Sequence, residues 1–490
     1  MTRIASATVA LAINRFCPPV FGFLLLVVIA LRSSELLGWY TVVTVFHFAL
    51  QTLPFLGLTP LIVKEAARRP TDAGRIFATA VGLALAVTAL LCLALPVVLH
   101  VAVFPDDVET AVWICALITV PYVVAYSAEL ILVSHNEPRL LGSVPLVENS
   151  LRFGASLVAL ELGYGITALF WFMFAGRVLA AVLFASALRN RVLRGLPMRC
   201  DPTLARTWLA QCPVFLLHAA MQLVTSRAAV VALGLVGGSI AVANFSVGYR
   251  VLDLGTVGLT AFAGAVYPGM AKAALAVESG RLHGITAIAT KLALVMGTSL
   301  AILAVTGSEL FVALLFPRQF PAAVDSMEIL VLAFAAAGVR LTISAAMFAR
   351  DRQRTDLIAL LVGAAAYVLL LAWWVPLFGI AGAAAATVAE VVVQVGVRIG
   401  LARSEELAGG ILRDGMGMTL AISALFLALS ASTCLWIANP YLRLGCGTLC
   451  AVGHLWALAG SRALRHEDLV FIGLDRILRR TAVTDRGDAR

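Results

Sequence analysis

Long apolar stretches alternate with short connections along this chain, and nearly every second connection is crowded with arginine. Fourteen such stretches run between about Ala7 and Arg462. Each is long enough for a hydrocarbon core that takes roughly 20 apolar residues to cross. No water inside a bilayer can satisfy backbone groups, so runs of this length must be helices. The expected spans are 7–31, 39–63, 76–104, 110–134, 140–160, 165–188, 207–235, 240–270, 285–306, 325–349, 355–375, 378–402, 415–437 and 441–461. Hydrophobic residues are 61% of the chain and charged residues 13%, against about 25% charged in soluble domains. A soluble enzyme with one anchor is excluded.

The basic residues sort by connection. Lys64, Arg68, Arg69 and Arg75 lie in one; Arg139 in the next but one; then Arg189, Arg191, Arg194, Arg199 and Arg206; then Lys272 and Arg281; then Arg350, Arg352 and Arg354; then Arg403 and Arg413. The intervening connections hold only Arg32, Arg318 and Arg443. The excess of basic residues places the first set in the cytoplasm, and an even helix count puts both termini there. The net charge of +9 therefore reads as retention at an anionic membrane face, not as a nucleic-acid surface. Behind the first apolar run there is no small-residue cleavage site, so that run is expected to stay as a helix. The tail Arg465–Arg480 spaces apolar and basic residues as an amphipathic helix on the inner leaflet.

The outer connections are very short: Phe104-Pro105-Asp106-Asp107, Glu161–Gly165, Val236-Gly237-Gly238-Ser239 and Pro376-Leu377-Phe378-Gly379. They leave no room for an external catalytic domain, so the chain is not expected to be an enzyme. Of the eight cysteines, seven fall in apolar runs and Cys200 in a basic connection, and the seven histidines are scattered. No metal, disulfide framework or cofactor is expected.

The chain repeats itself. Tyr40-Thr41-Val42 with Lys64-Glu65-Ala66-Ala67 is echoed by Phe245-Ser246-Val247 with Ala271-Lys272-Ala273-Ala274. Val103-Phe104-Pro105 returns as Leu315-Phe316-Pro317, and Gly165-Ile166-Thr167-Ala168 as Gly379-Ile380-Ala381-Gly382. Helices 1–6 and 7–12 thus read as two parallel copies of one six-helix unit, an arrangement of transporters that rock two halves about a cavity. The expected fold is an all-α polytopic membrane protein of about 14 transmembrane helices. Its two six-helix lobes form a V around a central cavity, and two C-terminal helices are added. The divisions are residues 1–200, 201–408, 409–462 and a cytoplasmic basic tail, 463–490.

Leu36-Leu37-Gly38-Trp39-Tyr40, Leu56-Gly57-Leu58 and Lys64-Glu65-Ala66-Ala67-Arg68 resemble motifs of the polysaccharide-exporter branch of the multidrug/oligosaccharidyl-lipid/polysaccharide (MOP) flippase superfamily. Ala243–Arg250, Tyr267-Pro268 and Gly379–Ala384 are similar to its C-terminal motifs. The resemblance implies a flippase moving undecaprenyl-diphosphate-linked oligosaccharide across the bacterial inner membrane, working beside membrane lipids and alongside a polysaccharide polymerase and glycosyltransferases. The chain departs from several relatives near Ser226-Arg227, where they carry an acidic residue and it has only the arginine.

An ionisable side chain within a membrane helix costs about 2.5–3.5 kcal/mol on insertion scales, which makes it a functional candidate. The candidates here are Arg15, Glu129, Glu148, Arg152, Arg177, Arg227, Arg250, Asp253, Arg340, Glu390 and Arg398. The seven arginines, Arg15, Arg152, Arg177, Arg227, Arg250, Arg340 and Arg398, suit a cavity for a pyrophosphate, whose oxygens the guanidinium fork binds bidentately. Asp253, Glu390 and Glu148 are the candidates for coupling to a proton or sodium gradient. Bland readings stand beside these. Glu148 with Arg152, and Arg250 with Asp253, are spaced for intrahelical pairs. Arg15 and Arg398 are placed to snorkel to the inner surface. Two rival functions remain: a multidrug/cation antiporter, which the arginine excess disfavours, and a non-transporting membrane scaffold, which has no need of so many embedded charges.

Overall fold

A computed structural model of the chain describes residues 2–102, 104–135, 138–194, 196–275, 279–316, 320–404 and 415–461. The expected amphipathic tail lies outside the described residues. Among those described, the structure is helical with no strand, an all-α membrane protein. The helices are α1 (Thr2–Arg32), α2 (Ser34–Thr52), α3 (Thr59–Arg68), α4 (Ala73–Ala102), α5 (Asp106–Ser134), α6 (Pro138–Glu161) and α7 (Ile166–Arg191). They continue as α8 (Pro202–Leu275), α9 (Ser279–Leu315), α10 (Pro321–Leu330), α11 (Ala333–Ala349), α12 (Gln353–Ser404), α13 (Met416–Trp436) and α14 (Pro440–Gly460).

Ten segments among the described residues are long and apolar enough to cross a membrane. Two of them, of 73 and 50 residues, each cover two expected spans. Even the shorter would rise about 75 Å as one straight helix, against a core of about 30 Å. Both are broken at a glycine where the sequence places an outer connection. Gly238 takes φ 70° in α8, and Gly379 takes φ 57° in α12, conformations that a side chain would resist. The described side chains of α1 begin at Cys17, and the stretch Cys17–Arg32 is apolar. Helix α6, which carries Glu148, Asn149 and Arg152, is not among the ten.

The second expected span, 39–63, is not one helix. Helix α2 starts earlier, where the Ser33 hydroxyl accepts from the Leu36 amide at 3.2 Å, and ends at a 3-10 turn over Leu53–Phe55. Pro54 favours that turn because it lacks an amide donor. Leu56 and Gly57 then adopt φ 51° and 70°, and α3 resumes the path. A Cβ on Gly57 would lie 2.3 Å from the Phe215 carbonyl oxygen, so both backbone angle and space demand glycine there. The tenth expected span, 325–349, is likewise divided, into α10 and α11.

The chain separates into two compact units. One comprises Met1–Ser246, Leu315–Phe320 and Leu371–Ala383; the other comprises Val247–Leu314, Pro321–Leu370 and Ala384–Arg490. The first packs Phe55, Leu58, Ile76, Val123, Phe184 and Trp208 into its core. The second relies on smaller contacts among Met270, Ala289, Ile343, Ala346 and Ala402. Small residues let helices approach closely where lipid removes the hydrophobic drive between them.

One polar joint ties Asp201, in the connection before α8, to the first turns of α4. Asp201 caps α8: its Oδ1 accepts from the Thr203 amide (2.9 Å), the Thr203 hydroxyl (2.6 Å) and the Leu204 amide (3.3 Å). Its Oδ2 pairs with Arg75 of α4, and its own amide donates to the Thr79 hydroxyl at 2.9 Å. The Thr203 hydroxyl, aided by the amides and Arg75, holds the carboxyl at about 2. Because the folded value lies below the unfolded value of about 3.9, this joint stabilises the fold above that value. The contribution is lost as pH falls through about 2. Melting of Asp201→Asn should therefore be less sensitive than the parent's to acidification from pH 5 to pH 2; equal sensitivity would show that the cap carries no linkage.

Candidate functional site

The first unit gathers three of the expected arginines around one histidine. Arg152 sits on α6, Arg177 on α7 and Arg227 on the first arm of α8, and the charge of each reaches the His47 ring on α2. Their positions along the helices explain the convergence. Glu148 and Arg152 lie thirteen and nine residues before the end of α6 at Glu161. Arg177 lies eleven residues after the start of α7, His47 thirteen after the start of α2, and Arg227 eleven before the Gly238 kink. At 1.5 Å per residue, all are about 14–20 Å from that end, near the middle of a core of about 30 Å.

The pairing within this cluster differs from the intrahelical expectation. Glu148, 3% exposed, turns to Arg177 on the next helix: both carboxylate oxygens lie 3.2 Å from Arg177 Nη1. Arg152 Nη2 instead donates to Asn149 Oδ1 at 2.9 Å. Close packing of α6 on α7 permits the crossing, since Gly176 presents no side chain where Glu148 passes. Arg177 also lies over the Tyr122 ring, 5.2 Å from its centroid, and Tyr122 stacks on Tyr126 at 5.4 Å. Arg227 lies over Phe48 at 4.6 Å. These are cation–π contacts, and they leave donors free. The Nε groups of Arg152, Arg177 and Arg227 are all buried without a hydrogen-bond partner. Glu129, on α5, acts electrostatically on Tyr122 and Tyr126.

The second unit holds its own network. Arg398 Nε donates to Asp356 Oδ1 at 2.7 Å, and Nη1 donates to Gln394 Oε1 at 2.7 Å. Gln394 Nε2 in turn donates to Glu390 Oε1. Arg340, on α11, lies within electrostatic reach of Glu390, Arg398 and Asp356, and its Nε is buried without a hydrogen-bond partner. The snorkelling expectation for Arg398 is thereby corrected. Its side chain is 4% exposed and bound to a carboxylate on the other arm of α12, so it has no reason to reach the surface. Arg250 and Asp253 form the expected i,i+3 pair at 3.5 Å, with Asp253 38% exposed. For Arg15, only the backbone position in α1 is described.

Several embedded polar residues escaped the sequence reading. His47 passes for an ordinary apolar-helix histidine. Asp356 follows Arg350–Arg354 closely and reads as part of the connection. Lys291 lies in the ninth span and is 2% exposed; its charge alone was signal enough. Arg443, assigned to an outer connection, is a buried staple. Its Nη1 meets Glu309 Oε2 at 3.2 Å and Glu328 Oε1 at 3.3 Å, tying α14 to α9 and α10. His454 extends that join, with Nδ1 3.2 Å from the Ser299 hydroxyl and Nε2 3.1 Å from that of Ser423.

Comparison with solved structures supports the same architecture. The chain is similar to an inward-facing multidrug resistance MATE family transporter of the MOP superfamily (14% identity, 82% of this chain and 98% of that one, TM-score 0.66). It is also similar to the lipid II flippase MurJ in an inward closed conformation (15% identity, 93% and 100%, TM-score 0.65). A third likeness is a MOP superfamily transporter from Pyrococcus furiosus, described by the reversed polarity of its binding pocket (13% identity, 83% and 96%, TM-score 0.62). At these identities the likeness establishes the fold. No curated protein matches the chain. The family described as "Polysaccharide biosynthesis protein" matches residues 10–274. That is more than half of the 490 residues, and the chain therefore belongs to this family, with the fold of MOP superfamily transporters.

Proposed function

We propose that the protein is a flippase that moves undecaprenyl-diphosphate-linked oligosaccharide across the bacterial inner membrane by alternating access, for polysaccharide biosynthesis. The carrying observation is the cluster of three guanidiniums, Arg152, Arg177 and Arg227, each with a buried Nε–H that has no acceptor. Buried donors without partners cost about 1–3 kcal/mol each, and a diphosphate offers them oxygens. Family membership supports a role in polysaccharide synthesis. The sugar head would bind at this mid-membrane level while the polyprenyl tail stays in lipid. No bond is made or broken, so the protein would not act as an enzyme. A cationic drug is a poor fit to a site where arginines outnumber carboxylates. Arg340 and Arg398 of the second unit, with Arg250 and Arg15, remain further candidates to line the path.

Coupling to a cation gradient would use Glu390, which is buried, in preference to the half-exposed Asp253. The partners would be the lipid-linked glycan, membrane lipids, a polymerase and glycosyltransferases. Both termini would be cytoplasmic, as reporter fusions within residues 190–200 and after residue 465 would check. The decisive experiment replaces Arg152 and Arg227 separately by alanine and lysine and measures glycan export at matched protein levels. Alanine should reduce export severely. Lysine should restore it only partly, because a point charge replaces a fork. Full export in every variant would overturn the reading.

A further inference from the structure

Not all the unmet polar groups around the arginine cluster are cationic. On α2, His47 Nδ1 and Gln51 Nε2 are buried and have no hydrogen-bond partner. The two residues are four apart, so they share one face of the helix. The cluster lies against that face. The charges of Arg152, Arg177 and Arg227 all reach the His47 ring. Arg227 lies over Phe48, 4.6 Å from its centroid, and Phe48 is three residues before Gln51. Gln51 therefore stands one turn, about 5.4 Å, beyond His47 along α2.

We propose that His47 and Gln51 form a sugar-reading edge of the site, hydrogen-bonding the hydroxyl or acetamido groups of the first sugar on the diphosphate. This rests on the reading of the cluster as a diphosphate site, and it adds a place for the part of the substrate that carries no charge. The chemistry divides the ligand. An ionised diphosphate only accepts, and guanidinium donors hold its oxygens with bonds about twice as strong as a neutral amide makes. Three such donors stand unmet at Nε. Gln51 and His47 are left for neutral partners. An imidazole in its neutral form has one N–H and one lone pair. A diphosphate has no donor for the lone pair, whereas a hydroxyl, both donor and acceptor, answers Nδ1 in either tautomer. The Gln51 amide carries a donor and an acceptor side by side, a pair that adjacent sugar hydroxyls match.

Connectivity agrees with this placement. The first sugar is bonded directly to the diphosphate, and Gln51 is one turn from the residue on which the three guanidiniums converge. The aromatic rings nearby are already engaged, Tyr122 by Arg177 and Tyr126, and Phe48 by Arg227. Recognition of the sugar thus falls to polar side chains more than to ring stacking. A buried group that needs a hydrogen bond discriminates against a ligand lacking the matching hydroxyl, because it is then left unpaired.

The test uses the full-length protein in lipid nanodiscs. The probes are farnesyl diphosphate and the same diphosphate carrying one glucose, galactose or N-acetylglucosamine on its terminal phosphate. The parent should bind at least one sugar-bearing probe about tenfold tighter than the bare one, the scale of one or two net hydrogen bonds. Gln51→Leu and His47→Phe should each bring that ratio toward one. His47→Asn, which keeps a hydrogen-bonding group on α2, should retain part of it. No preference in the parent, or an unchanged ratio in both Gln51→Leu and His47→Phe, would overturn the sugar edge while sparing the diphosphate site. Equal weakening of bare and sugar-bearing probes in those two variants would overturn it as well, since that is the mark of a structural role. Absence of binding of every probe to the parent would overturn the site reading and this proposal together.

Discussion

Replacing Arg177 by alanine is expected to abolish glycan export and to destabilise the fold by about 3 kcal/mol, the low end for a broken buried pair. The low end applies because Arg177 is 22% exposed although Glu148 is only 3% exposed. The change strands Glu148 in the first unit and removes the guanidinium that lies over Tyr122. The two consequences separate in the double variant Arg177→Ala/Glu148→Gln. Thermal melting of the purified protein should recover, because no uncompensated charge remains. Export should stay absent, because the diphosphate has lost a fork. Recovery of both would reduce Arg177 to a structural partner of Glu148 and remove it from the substrate site.

Arg398→Ala should cost more, about 3–5 kcal/mol. Both members of the pair with Asp356 are nearly inaccessible, at 4% and 1% exposure, and the bond is 2.7 Å long. Arg398 also orders Gln394, which in turn holds Glu390, so the loss runs through three further side chains. The companion variant Arg398→Ala/Asp356→Asn should regain most of the melting temperature. A single variant within about 1 kcal/mol of the parent, the scale of an exposed pair, would show that water already solvates Asp356.

Both predictions concern pairings that no spacing in the sequence displays. The spacing of Glu148 and Arg152 invites an intrahelical bond, yet Glu148 pairs with a residue 29 positions away. Arg398 finds Asp356 at a separation of 42, and Arg443 finds Glu328 at 115. The candidate arginines were legible as embedded charges because insertion penalises them wherever they lie. Their partners were not, because an arginine selects whichever carboxylate the packing of helices brings within reach. His47 was missed for the same reason: it becomes notable only when three guanidiniums gather round it.

The sequence by itself determined what local physics controls. Apolar runs of about 20 residues must be helices in lipid, and the helices are there. Glycines at 238 and 379 break the two longest ones, because only glycine accepts those backbone angles without cost. Family motifs pointed to the MOP fold that the solved structures share. Tertiary structure decided the rest. It broke the second span where Gly57 meets the Phe215 carbonyl, and it stapled α14 to α9 and α10 through Arg443. It also set three guanidiniums at one depth in the first unit. Charge pairing in a medium without water depends on distances across helices, and those distances exist only once the helices have packed.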